Sequence, residues 1–162
     1  MNLVPPIENR AFRSADRAGL LPVDTELGHI GIAICYDAFH HSLVEHYDAL
    51  GTQIILQPSY NEHPWDTPNE ANPALKESQV WLEHDLASLI QGRPNIRFGV
   101  NPMMVGCNLR AEGCSSICHN TGRVGAPPEE TIIAIAGDPK AEEIVAATVE
   151  LEPTGTRSVL PA

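Results

Sequence analysis

Basic residues are scarce in this sequence, and lysine is the scarcest of them. The 162 residues contain 10 lysines and arginines against 21 aspartates and glutamates, which gives a net charge of −11. The only lysines are Lys76 and Lys140. Because nucleic acids and anionic membrane surfaces attract positively charged protein surfaces, we expect neither nucleic acid nor a membrane among the partners of this chain.

Long apolar runs and a secretory signal are also missing. No run approaches the ~20 apolar residues that a membrane-spanning helix needs, and the longest runs, at 30–35 and 131–136, have the length of strands. Residues 1–6 have neither the basic start nor the apolar stretch of a signal peptide. We therefore expect a cytoplasmic protein.

The cysteines show no pattern of disulfide or metal chemistry. Cys35, Cys107, Cys114 and Cys118 form no C-x-x-C pair, and in a reducing cytoplasm we expect free thiols. The last three lie close to His119 in the sequence, but their spacing fits no common structural zinc pattern. We expect no metal ion and no cofactor.

What is present suits one folded domain. Hydrophobic residues make up 43% of the chain, which is enough for a core in a domain of this length. We expect that domain to span 1–152 and to be followed by a tail at 153–162. Buried strands are predicted at 29–35 and 52–57 with a helix between them, so the two strands should be parallel with a right-handed crossover.

The rest of the chain continues this α/β pattern. A helix is predicted over 72–90, because Asn72 and Pro73 make a good helix start and Gly92 a good end. The remaining predicted strands are 97–106, 115–120, 131–136 and 143–151. The pattern predicts a mixed sheet.

Cys35 is the first candidate for chemistry. It lies at the carboxyl end of the first predicted strand, where ligands bind in open α/β sheets, and a helix begins just after it. A helix N-terminus lowers the pKa of a thiol, and backbone N–H groups can hold an oxyanion. The alternative is that Cys35 is a small buried hydrophobic residue.

The wider motif favours the chemical interpretation. Residues 28–37 read GHIGIAICYD and closely resemble the nucleophile segment of the nitrilase superfamily, the carbon–nitrogen hydrolases, in which a strand ends in CYD or CWD. Three further stretches resemble segments of that family in the same order, at 3–8, 51–59 and 101–117. The resemblance covers nearly the whole predicted domain, 1–152.

The resemblance implies a fold and a reaction. The fold would be part of an αββα four-layer sandwich, a mixed sheet with helices on one face. The reaction would be hydrolysis of a small non-peptide amide, nitrile or carbamoyl group through a thioester or thioimidate. Cys35 would be the nucleophile and Glu8 the second glutamate, which orients the site. The oxyanion and pocket residues would be Tyr36, Asp37, Tyr60, Asn61 and Trp65.

Two groups that the family uses have no counterpart here. The family's lysine should precede Leu3 in a K-x-x-L pattern, immediately before Met1, and its general-base glutamate lies further upstream. Lys76 and Lys140 are both expected on the surface. We therefore expect Met1 to be an internal methionine of a longer protein; a separate chain that supplies the missing part, or a decayed gene, are the alternatives.

Other functions stay open at this point. The chain could be a non-catalytic binding or assembly module with a hydrolase-like fold, or belong to an amine N-acyltransferase branch of the same family. As part of a sandwich, it should expose apolar sheet surface and unpaired edges. We expect it to be inactive alone and to associate, most simply as a homo-oligomer, with a small-molecule amide or nitrile as its substrate when complete.

Overall fold

A computed structural model describes residue 16, residues 19–106 and residues 110–151 of the chain. Glu8 and the predicted tail at 153–162 lie outside these residues. Six strands form one mixed sheet whose spatial order follows the chain. The strands are β1 (Val23–Thr25), β2 (Gly28–Ile32), β3 (Ile54–Leu56), β4 (Phe98–Asn101), β5 (Ser116–His119) and β6 (Ile132–Ile135).

The centre of the sheet is parallel and its flanks are antiparallel. β2, β3 and β4 run parallel to one another, β1 pairs antiparallel with β2, and β5 and β6 continue antiparallel beyond β4. The predicted parallel pair and mixed sheet are confirmed. The hairpin of β1 with β2 was not predicted, because β1 is a short and exposed strand.

Four helices and one 3₁₀ turn connect the strands. The helices are α1 (His41–Ala49), α2 (Glu77–Glu83), α3 (Leu86–Leu89) and α4 (Pro128–Thr131), and the turn is Cys35–Phe39. Gly51 follows the end of α1 and has a positive φ of 80°. This is the left-handed conformation that favours glycine after the last turn of a helix. Among the described residues, no helix is both long and apolar enough to cross a membrane.

The helices cover one face of the sheet, and small residues on that face let them approach. Gly31 and Gly99 both point to this face on either side of Ile55. A Cβ on Gly31 would lie 3.0 Å from the ring of Tyr47, and one on Gly99 would lie 2.8 Å from Leu86. The main apolar core is therefore built between the sheet and α1 and α3.

The opposite face of the sheet is apolar but has no helix on it in the described part of the chain. Its residues include Ile32, Leu56, Val100 and Ile117, which are aligned across four strands. Ile32 is 47% exposed. The α/β class with helices on one face of a mixed sheet is thus confirmed, and the described residues form two layers.

The long helix predicted over 72–90 is wrong. It is two helices, Glu77–Glu83 and Leu86–Leu89, separated at Asp85. Asp85 adopts φ −107° and ψ −147°, which breaks the helical ladder. Its carboxylate is buried against the side chain of Gln57, so a tertiary contact overrides the local periodicity.

Two predicted strands also differ from the structure. The strand predicted over 97–106 covers only Phe98–Asn101, because the N–H needed to continue the ladder is missing in Pro102. The strand predicted over 143–151 is not formed among the described residues. That segment is anchored instead by Val145, which packs against an apolar cluster beside the sheet.

Candidate active site

Cys35 lies in a strained position between strand and turn. β2 ends at Ile32, and Cys35 is the first residue of the 3₁₀ turn Cys35–Phe39. Its φ is +49°, a left-handed conformation that costs a residue with a Cβ on the order of 1 kcal/mol. Strain of this kind is concentrated at functional sites, where the surrounding structure holds it in place.

The segment after β3 holds Cys35 from the side. The backbone N–H of Cys35 donates to the carbonyl of Pro58 at 3.0 Å, and its thiol donates to the carbonyl of Tyr60 at 3.4 Å. The thiol is half-buried. Since a thiol that donates a hydrogen bond carries its proton, a base has to remove that proton before the sulfur can act as a nucleophile.

The turn itself is stabilised by its acidic residue. Asp37 is 3% exposed, and its Oδ2 accepts the N–H of Ile34 at 3.2 Å. Tyr36 is exposed, and its ring contacts His40 edge-on and Phe39 face-on. The geometry of the turn therefore follows from the C-Y-D triplet that the sequence singled out.

The loop that contains the predicted pocket residues Tyr60, Asn61 and Trp65 is hydrogen-bonded to the segment at 111–113. Asn61 is buried and donates to the carbonyls of His63 and Glu112. The carboxylate of Glu112 accepts the N–H of Trp65 at 2.8 Å and pairs with Lys140 at 3.3 Å. Glu112 was not singled out from the sequence. It lies in the stretch at 101–117 that resembles the family, without a distinguishing pattern of its own.

An apolar wall stands beside the nucleophile candidate. Trp65 and Trp81 are both buried, and the cluster that contains them also contacts Cys35 and Phe39. The rings of Phe39 and Trp81 meet edge-to-face with centroids 5.2 Å apart. Both tryptophans are therefore packing residues, and Trp65, which is expected in the pocket, packs in the same cluster as Cys35.

A buried polar pair lies beneath Cys35. The side-chain N–H₂ of Gln57 donates to the carbonyl of Cys35 at 3.1 Å and to Oδ2 of Asp85 at 2.6 Å. Burial raises the pKa of Asp85 to about 8, against the opposing effect of the Gln57 amide and the N–H of Leu86. The sequence signal for Gln57 was a polar residue at the end of an otherwise apolar strand; Asp85 had none.

Both lysines are paired with carboxylates on the surface. Lys76 lies 3.4 Å from Asp66, and Lys140 lies 3.3 Å from Glu112. Their side chains are 57% and 68% exposed. Neither pairing involves Cys35, in agreement with the prediction that both are surface residues.

A cavity of about 290 Å³ opens on the far side of the segment at 58–60. Its lining includes Met103, Ser115, Ala136 and Glu142. Met103 forms a β-bridge with Ser59, and Met103 and Ala136 belong to the apolar cluster that also contacts Cys35. The predicted pocket residues Tyr60, Asn61 and Trp65 do not line it.

The site residues predicted from the sequence therefore fall into three groups. Cys35, Tyr60 and Trp65 come together through a thiol hydrogen bond and a shared apolar cluster. Asn61 and Asp37 stabilise the loop and the turn that surround them, and the exposed Tyr36 lies in that turn. Glu8 lies outside the described residues.

No protein-family model and no curated protein matches the sequence. Solved structures do match it. The amidase NitN from Nesterenkonia sp. AN1 is 15% identical, with a TM-score of 0.62, over 92% of this chain and 49% of the amidase. A carbon–nitrogen hydrolase from Helicobacter pylori G27 is 18% identical, with a TM-score of 0.58, over 85% of this chain and 45% of that one.

A third similar structure carries the family name. Nit3 of Saccharomyces cerevisiae, a member of branch 10 of the nitrilase superfamily, is 20% identical, with a TM-score of 0.57, over 85% of this chain and 42% of Nit3. The chain thus spans less than half the length of each of these proteins. The resemblance predicted from the motifs is confirmed in the fold: this chain folds like part of a nitrilase-superfamily carbon–nitrogen hydrolase.

Proposed function

We propose that the chain is part of a cysteine-dependent hydrolase of non-peptide carbon–nitrogen bonds, with Cys35 as its nucleophile. The substrate would be a small amide, nitrile or carbamoyl compound. The observation that carries this proposal is the strained, half-buried thiol of Cys35 at the end of β2, held between a fixed carbonyl and an apolar wall.

The proposed reaction divides one difficult step into two. A base takes the thiol proton, and the sulfur attacks the carbonyl carbon of an amide to give a tetrahedral intermediate. The leaving nitrogen is protonated and departs as ammonia or an amine, which leaves a thioester on Cys35. Water activated by the base then releases the carboxylic acid and returns the thiol. With a nitrile, the sulfur adds to the nitrile carbon to give a thioimidate; a first water then displaces ammonia to leave the same thioester, which a second water hydrolyses.

The described residues supply only part of this machinery. A cation or N–H donor has to stabilise the developing oxyanion, yet both lysines are paired with surface carboxylates. The resemblance assigns the orienting role to Glu8 and implies a lysine and a general base in addition. We therefore propose that the reaction requires residues beyond those described, and that this chain alone is inactive.

Acrylamide tests the role of Cys35. In one structure of the Nesterenkonia amidase, acrylamide has added to the active-site cysteine. Incubation of this chain with acrylamide, followed by peptide mass spectrometry, should give an adduct on Cys35 before Cys114 or Cys118. Burial raises the pKa of both competing thiols, that of Cys118 to about 12, so their reactive thiolate is rare.

Two variants complete this test. Cys35→Ala should abolish the early adduct and leave the far-ultraviolet circular dichroism unchanged, whereas Cys114→Ala should leave the adduct in place. Labelling of Cys35 no faster than that of Cys118 would contradict the proposal. That outcome would favour a non-catalytic binding or assembly module, the alternative that the surface pairing of both lysines supports.

A further inference from the structure

Gln57 connects the nucleophile candidate to a buried acid. Its side-chain nitrogen has two protons, and it makes two hydrogen bonds, one to the carbonyl of Cys35 and one to Oδ2 of Asp85. Gln57 and Asp85 are both 0% exposed. Because Gln57 donates in both contacts, the orientation of its amide is determined by two acceptors that face it.

Two oxygens of this pair have no partner in the described structure. Oε1 of Gln57 and Oδ1 of Asp85 are buried and accept no hydrogen bond. Leaving buried polar atoms unpaired costs about 1–3 kcal/mol each. In a carboxylate–amide contact both atoms are acceptors, so they cannot satisfy each other.

A single proton on Asp85 would give both unpaired oxygens a hydrogen bond. With its proton on Oδ1, the carboxylic acid can donate to Oε1 of Gln57 while Oδ2 continues to accept from the amide N–H₂. This arrangement is the cyclic pair that a carboxylic acid forms with a primary amide. The second amide proton stays directed at the carbonyl of Cys35, as the structure has it.

We propose that Asp85 and Gln57 form a neutral acid–amide pair that positions Cys35 by holding its backbone carbonyl. The proposal deepens the function above, on which it rests for the role of Cys35. The raised pKa of Asp85, about 8, agrees with a protonated group at neutral pH. The titratable group that interacts with it across the core is the Cys118 thiol on β5, whose own pKa is raised to about 12.

The pair explains why the strained turn persists. The left-handed φ of Cys35 is held on one side by the N–H contact to Pro58 and on the other by the amide of Gln57. Without the amide, the carbonyl of Cys35 would lose a hydrogen bond that opposes its rotation toward an unstrained conformation. The thiol would then leave the carbonyl of Tyr60. Asp85 and Gln57 are thus positioning residues.

Replacing Asp85 by residues of similar size distinguishes a neutral acid at this position from a carboxylate. In Asp85→Asn, the new amide can donate to Oε1 and accept from Nε2 of Gln57, as a protonated acid does, so the site should be retained. In Asp85→Leu both contacts are lost. Asp48→Asn is the matched control, because Asp48 is also buried but its Oδ1 only accepts the N–H groups of Asn95 and Ile96.

Nuclear magnetic resonance of the full chain with ¹³C-labelled cysteine reads out the position of Cys35. We expect the Cα and Cβ signals of Cys35 to be unchanged in Asp85→Asn and Asp48→Asn. They should move away from left-handed values in Asp85→Leu and in Gln57→Leu, while those of Cys114 stay in place. Gln91→Leu serves as the glutamine control, since the partners of this buried amide, the carbonyls of Ala87 and His119, lie outside the turn.

The protonation of Asp85 is measured directly in the unmodified chain. With ¹³C-labelled aspartate at neutral pH, its carboxyl carbon should resonate at the position of a protonated acid. A carboxylate position overturns the proposal, as does an Asp85→Asn variant whose Cys35 signals move away from their positions in the unmodified chain. These two measurements decide the matter even if the leucine variants do not fold. Neither NMR measurement requires turnover. If acrylamide did not label Cys35 first, the hydrolase proposal would be refuted, but these NMR signals could still be read.

Discussion

The two faces of the sheet carry similar apolar residues but have different neighbours. On one face, Ile55 lies between Gly31 and Gly99, and helices pack closely enough to bury it completely. On the other face, Ile32 and its neighbours remain partly exposed. The glycines of the covered face allow the helices to pack closely, whereas the bare face has no covering layer among the described residues.

The similar solved structures agree with this comparison. Each is more than twice as long as the part this chain matches. An exposed apolar face is also a common site of association between proteins. We propose that the bare face makes the chain associate with a second copy of itself when it is alone.

We expect the largest loss of stability from a substitution on the covered face of the sheet. Ile55→Ala should lower the free energy of unfolding by about 2–5 kcal/mol, because it leaves a cavity in a fully buried position. Ile32→Ala on the bare face should cost less than about 1 kcal/mol in the monomer, since 47% of that residue is already exposed. Urea denaturation at low protein concentration measures both. Equal losses would show that the bare face is buried in solution.

A glycine on the covered face should come next. Gly99→Ala would place a Cβ 2.8 Å from both Leu86 and the sulfur of Cys118, and overpacking of this kind costs about 1–3 kcal/mol. Gly137→Ala is the control, because its Cβ would have only one neighbour, at 3.8 Å. If Gly99→Ala unfolds at the same urea concentration as the unmodified chain, the close contact of α3 with the sheet is wrong.

The pH dependence tests the acid beneath the covered face. The pKa of Asp85 is about 8 in the folded protein and has an ordinary value of 3.8. Between these values the folded state holds a proton that the unfolded state has lost, so stability falls as pH rises. Below the window both states hold the proton, and above it neither does. The slope for one proton is at most ~1.4 kcal/mol per pH unit.

Asp85→Asn isolates this contribution. The difference in unfolding free energy between the variant and the unmodified chain should change across the window and be flat outside it. Chemical denaturation at a series of pH values gives that difference directly. A difference that does not vary with pH between 4 and 8, roughly the window above, would mean that Asp85 titrates normally.

The smallest expected effect on stability lies on the bare face. Ile32→Thr should change the unfolding free energy of the monomer by no more than about 0.5 kcal/mol. It should, however, reduce self-association in sedimentation velocity, because it places a hydroxyl group on the apolar surface. Tyr36→Ser, an exposed change outside this face, is the control. Association that is insensitive to Ile32→Thr would place the contact elsewhere.

Much of the fold could be predicted because its signals are local. The apolar run around Ile55, the glycine at 51 and the short segment at 115–120 depend on neighbours within a few residues, so these strands and this helix end follow from the sequence. The long helix over 72–90 failed for the opposite reason. Asp85 breaks it to meet Gln57, which is 28 residues away in the sequence, and no periodicity records such a contact.

The candidate site divides in the same way. The triplet that contains Cys35 is a local motif, so the sequence alone singled out the nucleophile candidate, the turn that follows it and the family it resembles. The contacts that act on Cys35 are tertiary. Gln57 is marked only as a polar residue at the end of an apolar strand, and Glu112 has nothing distinctive around it. Only the pairing of strands and loops brings Gln57 beneath the thiol and Glu112 to the loop beside it.

The sequence by itself determined that this is an α/β chain with a mixed sheet and a cysteine at the end of a buried strand, because hydrophobic periodicity and turn residues act over short distances. Only the tertiary structure decided the left-handed φ of Cys35, the buried pairing of Gln57 with Asp85 and which face of the sheet is bare. Those features depend on close packing between segments that are far apart in the chain. A polar atom can be buried there at little cost only where such a segment supplies its hydrogen-bond partner.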